Sequence, residues 1–185
     1  MATGIEYQVG ELLRELREKR GLSVRPLAAN AGFSPSFISQ VENGQASPSI
    51  ASLEKMAACL DITLSEFFQA GAARSSAVVR AHERPRLESG WSKAEIESLG
   101  AGRGSRLEPV LITLRGGGMS GKHPHTLARD QFVFVISGDV TLMLDDVESV
   151  LSPGDAATIS AQTPYRFVNP SDTPTQFLVV SSRGL

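Results

Sequence analysis

Two groups of residues in this sequence have types and spacing that could do chemistry. The first is His123 and His125, separated only by Pro124. On a strand, side chains two residues apart point to the same face, and imidazole suits several divalent metals. The second lies between Ser34 and Asn43. Ser34-Pro35 can open a short helix: the Ser hydroxyl accepts an orphan backbone N–H, and proline at the first helical position loses nothing. A short, Ser-capped helix that is polar on one side suits insertion of its N-terminus into a major groove. Nucleophilic catalysis finds little support, because three His and one Cys offer no nucleophile–base pair.

The elements that must position these groups fall into two halves. The first seventy residues read as helices. Leu12, Leu13 and Leu16 recur at helical spacing from Val9 to Arg20, and Gly21 stops that run. Ser23 opens a second helix with Leu27, Ala28 and Ala31 facing inward, and Gly32 breaks it. Ile38 and Val41 form the inner face of the third, which Asn43-Gly44 ends with residues that tolerate positive φ. Pro48-Ser49 begins a fourth that runs through Leu60, with Cys59 on its core face as a small buried hydrophobe. Thr63-Leu64-Ser65-Glu66 is a capping box for a fifth, carrying Phe67 and Phe68.

After a small-residue stretch from Ala70 to Ser76 the pattern alternates. Val110–Leu114, Phe132–Ile136, Val140–Leu144, Ala156–Ile159 and Phe177–Val180 are short apolar or alternating runs between turn signals, which indicates a sandwich or barrel. Ser137-Gly138-Asp139 and Asp145-Asp146 read as tight hairpin turns. The expected domains are 1–70, helical, and 80–185, all-β, joined by a linker at 71–79.

Composition sets the remaining bounds. The chain has 185 residues, 41% hydrophobic and 21% charged, with a net charge of −2. Residues 1–70 carry six Lys/Arg and eight Asp/Glu, so weak, salt-sensitive non-specific binding to nucleic acid is expected of them. Their basic residues nevertheless cluster: Arg14, Arg17, Lys19, Arg20 and Arg25. No basic head precedes an apolar run at the N-terminus, and no stretch approaches the ~18 apolar residues of a membrane helix, so neither secretion nor a membrane partner is expected. A single cysteine fits a reducing cytoplasm.

The helical half resembles a known family. Leu27-Ala28, Gly32-Phe33-Ser34, Ile38-Ser39-Gln40-Val41-Glu42-Asn43-Gly44, Pro48-Ser49, Leu53 and Leu60 look like the xenobiotic-response-element (XRE) helix-turn-helix family, which includes the lambda-repressor-like and Cro domains. The resemblance implies a five-helix fold whose third helix offers Pro35, Ser36, Ser39 and Gln40 to base edges. Gln pairs bidentately with adenine, and Ser is promiscuous. Ser34 and Asn43, with Arg25, would hold phosphates and position the helix without reading sequence. Arg17 and Glu42 match an ion pair of the family that ties helix one to the recognition helix. Pro26 departs from the family pattern, but in the first turn its missing N–H costs little.

The second half resembles the cupin family, a double-stranded β-helix or jelly-roll. The resemblance rests on Gly117, His123-Pro124-His125, the run Gln131 to Gly138, Pro153-Gly154-Asp155, Pro164-Tyr165 and Asn169-Pro170. It implies a pocket at His123, His125, Gln131 and Tyr165. Cupin metal sites use two such His, a Glu and a later His; here the Glu position falls on Gln131 or Asp130, and the last His is Tyr165. Gln is a poor ligand and the phenol a costly one. Three readings stand: a metal-free ligand pocket, a divalent metal held by His123 and His125, or ordinary histidines. The wall is expected from Val133, Val135, Leu142, Leu144, Phe167 and Val179, with Arg115, Arg129 and Arg166 as candidates to meet an anionic effector.

Together these resemblances imply a sequence-specific DNA-binding transcriptional regulator, not an enzyme, whose cupin domain senses a small-molecule effector. It is expected to bind double-stranded DNA at a palindromic operator, as a homodimer through the cupin domain, because one short helix reads too few base pairs. The alternatives are a metal-dependent cupin enzyme of the oxygenase or epoxidase type carrying a helical head, and a scaffold that binds no DNA.

Overall fold

The structure is a computed structural model that describes residues 9–64, 67, 78–100 and 106–182. The head contains α1 (Val9–Lys19), α2 (Val24–Ala31), α3 (Pro35–Glu42) and α4 (Ile50–Cys59). Their inner faces are the apolar stripes expected from periodicity: Leu13, Leu27, Ile38, Leu53 and Met56 are fully buried. Gly32 ends α2 at φ 72°, where a side chain would be strained. After α3 the positive φ falls on Gly44, while Asn43 keeps a negative φ. Gly10 allows close approach of α1 to α3, since a Cβ there would collide with the carbonyls of Val41 and Glu42. Ser65, Glu66 and Phe68 of the expected fifth helix lie outside the described residues, as does most of the expected linker. Phe67 is buried, and its N–H donates to the Thr63 carbonyl.

The second half is a barrel of two antiparallel sheets. Its strands are β1 (Arg86–Ser89), β2 (Ala94–Ser98), β3 (Leu107–Leu114), β4 (Gln131–Ser137), β5 (Val140–Leu144), β6 (Val147–Leu151), β7 (Ala156–Ile159), β8 (Tyr165–Val168) and β9 (Thr175–Ser182). One sheet has the order β1-β2-β3-β9-β4-β7 and the other β6-β5-β8. Val133, Val135, Leu142, Phe167 and Val179 face the interior as expected; Leu144 is half-buried. Four strands were not expected. β1 and β6 carry charges on exposed positions, and the turn-like Pro164 and Asn169-Pro170 conceal β8. One turn is corrected: Ser137-Gly138-Asp139 is not a hairpin, because β4 and β5 belong to different sheets and this segment crosses between them. Asp145-Asp146 does close a hairpin, between β5 and β6, with Asp145 at φ 50°.

Head and barrel meet at the start of α4. The first N–H groups of a helix have no partner within it. Here Ser49 accepts from the Ser52 N–H at 3.1 Å, but the other partners come from the barrel. The Ile50 N–H donates to Ser92 Oγ at 3.1 Å and the Ala51 N–H to the Ser120 carbonyl at 2.9 Å. The Ser89 hydroxyl donates to the Pro48 carbonyl at 2.7 Å. The barrel thus completes the cap of a helix that belongs to the head.

Candidate functional site

The recognition segment is built by capping and burial. Ser34 Oγ accepts the Phe37 N–H at 3.1 Å, and Pro35 takes the first helical position. With Ile38 and Val41 turned into the core, the opposite side is left to solvent. Ser34, Pro35, Ser36, Gln40 and Asn43 are exposed and Ser39 is half-exposed. Arg25 is exposed at the start of α2. Ser23 precedes that helix without a side-chain cap bond, and Pro26 removes one of the N–H groups it could have served.

Behind this face lies a buried ion pair. Arg17 donates to Glu42 through Nε at 2.6 Å and Nη2 at 2.9 Å, and through Nη1 to the Leu22 carbonyl at 2.7 Å. Hydrogen bonding to Glu42 raises the guanidinium pKa against the burial that lowers it. Arg14 donates to Asn43 Oδ1 at 2.6 Å, so α1 holds both the last turn of α3 and the residue that caps it. Cys59 is half-buried rather than fully enclosed, and burial pushes its thiol pKa up.

In the barrel, the structure buries three of the four candidate pocket residues and leaves His123 outside. His125 and Tyr165 are paired by reciprocal backbone hydrogen bonds of 3.0 Å, and their rings are in tilted contact with centroids 4.5 Å apart. Gln131, not Asp130, points inward: it is buried, and its Nε2 donates to Ser181 Oγ at 3.1 Å. Asp130 is exposed and accepts the Ala161 N–H. His123 is also exposed, beside a surface groove that includes Phe33, Phe37 and Trp91. The two His are therefore not side by side on one strand face: β8 reaches only His125, through an isolated bridge.

The donor set does not fit a cupin metal centre. Among the described residues no group of three or more His, Cys, Asp or Glu is placed to hold an ion. The inward residues at the carboxylate and last-His positions are an amide and a phenol. Burial first, then the charge of Glu54 and its hydrogen bond, hold the Tyr165 pKa well above the usual phenol range, so Tyr165 stays protonated. Of the three arginines, Arg129 is half-buried beside the pocket and pairs with Glu108 at 3.6 Å. Arg115 pairs with Glu88 at the surface, and Arg166 donates to the Lys122 carbonyl.

The residue that sequence reasoning missed is Glu54. It sits on α4, in the head, yet its carboxylate enters the barrel mouth. Oε2 lies 2.6 Å from His125 Nε2, and the Tyr165 hydroxyl lies 3.1 and 3.3 Å from the two carboxylate oxygens. The only signal was a charge interrupting an apolar stripe, between Ile50 and Ala57 on one helix face. Glu54 also lines a small cavity with Ile62, Leu64, Leu127, Arg129 and Gln131.

Fold and site together define a two-domain protein, a helix-turn-helix head on a cupin barrel. A helix-turn-helix family model matches residues 13–67 and a cupin-domain model matches 110–181. The chain belongs to the XRE-type helix-turn-helix transcriptional regulators that carry a cupin domain. It is similar to the HTH-type transcriptional regulator PuuR of Escherichia coli, 26% identical over 163 residues, or 88% of each chain. It is also similar to the regulator SutR of the same species, 24% identical over 165 residues and 89% of each chain. The crystal structure of an HTH_3 family transcriptional regulator from Vibrio cholerae superimposes with a TM-score of 0.75, at 25% identity and 96% of each chain. PuuR and SutR, both of which align over most of the chain, are transcriptional regulators. Among the described residues no helix is long and apolar enough to cross a membrane.

Proposed function

We propose that this regulator reads a palindromic operator as a homodimer, and that a small molecule bound in the cupin barrel modulates that binding. The exposed leading face of α3 carries this reading. Gln40 and Ser36 would meet base edges together with Pro35 and Ser39, while Ser34, Asn43 and Arg25 would contact phosphates. The domains are taken as 1–70 and 80–185, and the setting as the cytoplasm.

An apolar outer sheet face supports the dimer. Phe132, Phe134 and Ile136 alternate along β4 with exposures of 44%, 38% and 46%. They share that face with Leu178 and Val180, their cross-strand neighbours on β9. A contiguous patch of this kind marks an interaction surface. A second copy is the natural occupant, because a two-fold pair of α3 helices reads half-sites about one helical turn apart.

A gel-shift titration against DNA upstream of the protein's own operon tests the reading. Saturable binding that survives excess non-specific competitor is expected. Binding abolished equally by any competitor DNA would overturn the assignment of base-reading residues.

A further inference from the structure

The contact between Glu54, His125 and Tyr165 is a bound carboxylate whose donor happens to be the protein itself. Two buried hydrogen-bond donors converge on it. His125 is 5% exposed and Tyr165 2%. His125 Nδ1 has no partner, which fits the tautomer with its proton on Nε2, directed at Glu54. Gln131 Oε1 is likewise buried without a partner. His125 borders a surface groove of about 240 Å³, and Glu54 borders, with Arg129 and Gln131, a cavity of only about 20 Å³, room for about one water. Ile62 and Leu64 of the head close it alongside Glu54. The His125 and Tyr165 donors are already taken by Glu54, so an effector reaches them only by displacing it.

We propose that His125 and Tyr165 form a carboxylate-binding site, filled in this state by Glu54, and that a small carboxylate-bearing effector displaces Glu54 and releases α4 from the barrel. This rests on the reading of the barrel as a sensor. Withdrawing Glu54 alone would leave two buried donors unsatisfied, at a cost that opposes release. A ligand carboxylate restores both bonds and removes that cost. The groups left at the site suit an anion: the His125 ring and the Tyr165 hydroxyl, with the Arg129 guanidinium in the small cavity that Glu54 also lines, paired there with Glu108. The other hydrogen bonds between the barrel and the start of α4 are neutral, at Ile50, at Ala51 and at Pro48 just before the helix. Because α4 shares a core with α3, its release alters the placement of the reading helix relative to the barrel. An internal competitor also lowers the apparent affinity for the true ligand by the fraction of molecules in which it is withdrawn.

The test titrates propionate, succinate and benzoate into the full-length protein by calorimetry, with Trp91 emission as a second readout. Trp91 is the sole tryptophan and lies at the seam, where its backbone N–H donates to Ser47 Oγ at 3.4 Å. At least one acid is expected to bind Glu54→Ala ten-fold or more tightly than wild type, while propionamide shows no such gain. Adding His125→Ala to that variant abolishes the gain. The acid shifts wild-type Trp91 emission toward that of ligand-free Glu54→Ala. Glu54→Gln, which keeps the side-chain shape, shows a smaller gain in the same direction and guards against misfolding of the alanine variant. Equal affinities in wild type and both Glu54 variants would overturn the site. Tighter acid binding with no change in Trp91 emission would overturn the release. Operator binding, measured in parallel without acid, separates the two readings: its absence in wild type removes the regulator reading and leaves the carboxylate result standing.

Discussion

Two carboxylate clusters of this structure, one at Glu42 and one at Glu54, are built to different ends. Arg17–Glu42 lies within the head and joins α1 to α3. Every strong donor of Arg17 is used, by Glu42 and by the Leu22 carbonyl. Glu54–His125–Tyr165 lies between head and barrel, and it leaves His125 Nδ1 and Gln131 Oε1 without partners. A closed network rigidifies one arrangement, whereas a network with spare buried polar atoms has a second arrangement to go to. The first cluster therefore fixes the recognition helix in its domain, and the second is suited to set where that domain sits.

The sharpest way to break this comparison is Glu42→Ala. It strands a buried guanidinium and should destabilise the head by ~3–5 kcal/mol, seen as a large fall in thermal midpoint and loss of operator binding. A mild effect would mean that the pair is no more structural than Glu54. Next comes Gln40→Ala, expected to weaken specific binding by ~1–3 kcal/mol and relax one base position in a competition gel shift. An equal loss for all DNA sequences would show that Gln40 does not read a base. Tyr165→Phe removes one of the two donors to Glu54. It should cost ~1 kcal/mol in denaturant unfolding, shift Trp91 emission, and leave the preferred operator sequence unchanged. A change in sequence preference would tie the barrel to base reading, against the division of labour between the clusters. The smallest effect is expected for His123→Ala, within ~0.5 kcal/mol of wild type, because its side chain is exposed. A loss of acid binding in that variant would return His123 to the pocket.

Much of the fold was legible before the structure. Ser34-Pro35, Gly32 and Gly44 punctuate the head through backbone rules that need no tertiary information, and the matched pair Arg17 and Glu42 follows from the family pattern. β8 was not legible, because proline and Asn-Pro at its ends read as turn. The apparent hairpin at Ser137-Gly138-Asp139 misled for a related reason: a tight turn has the same local chemistry whether the chain pairs back on itself or crosses to another sheet. His123 and His125 look alike in the sequence, yet only His125 is bridged to β8 and drawn inside.

The sequence by itself determined the helical head, the β-rich second half, the exposed polar side of α3 and the identity of the family. These follow from local propensity and from hydrophobic period, which act over a few residues at a time. Only the tertiary structure decided that Gln131 rather than Asp130 faces the interior, that His123 stays outside, and that Glu54 crosses from one domain into the other. Those outcomes depend on strand register and domain docking, where residues 71 and 111 positions apart come within hydrogen-bonding distance, and no short-range pattern records them.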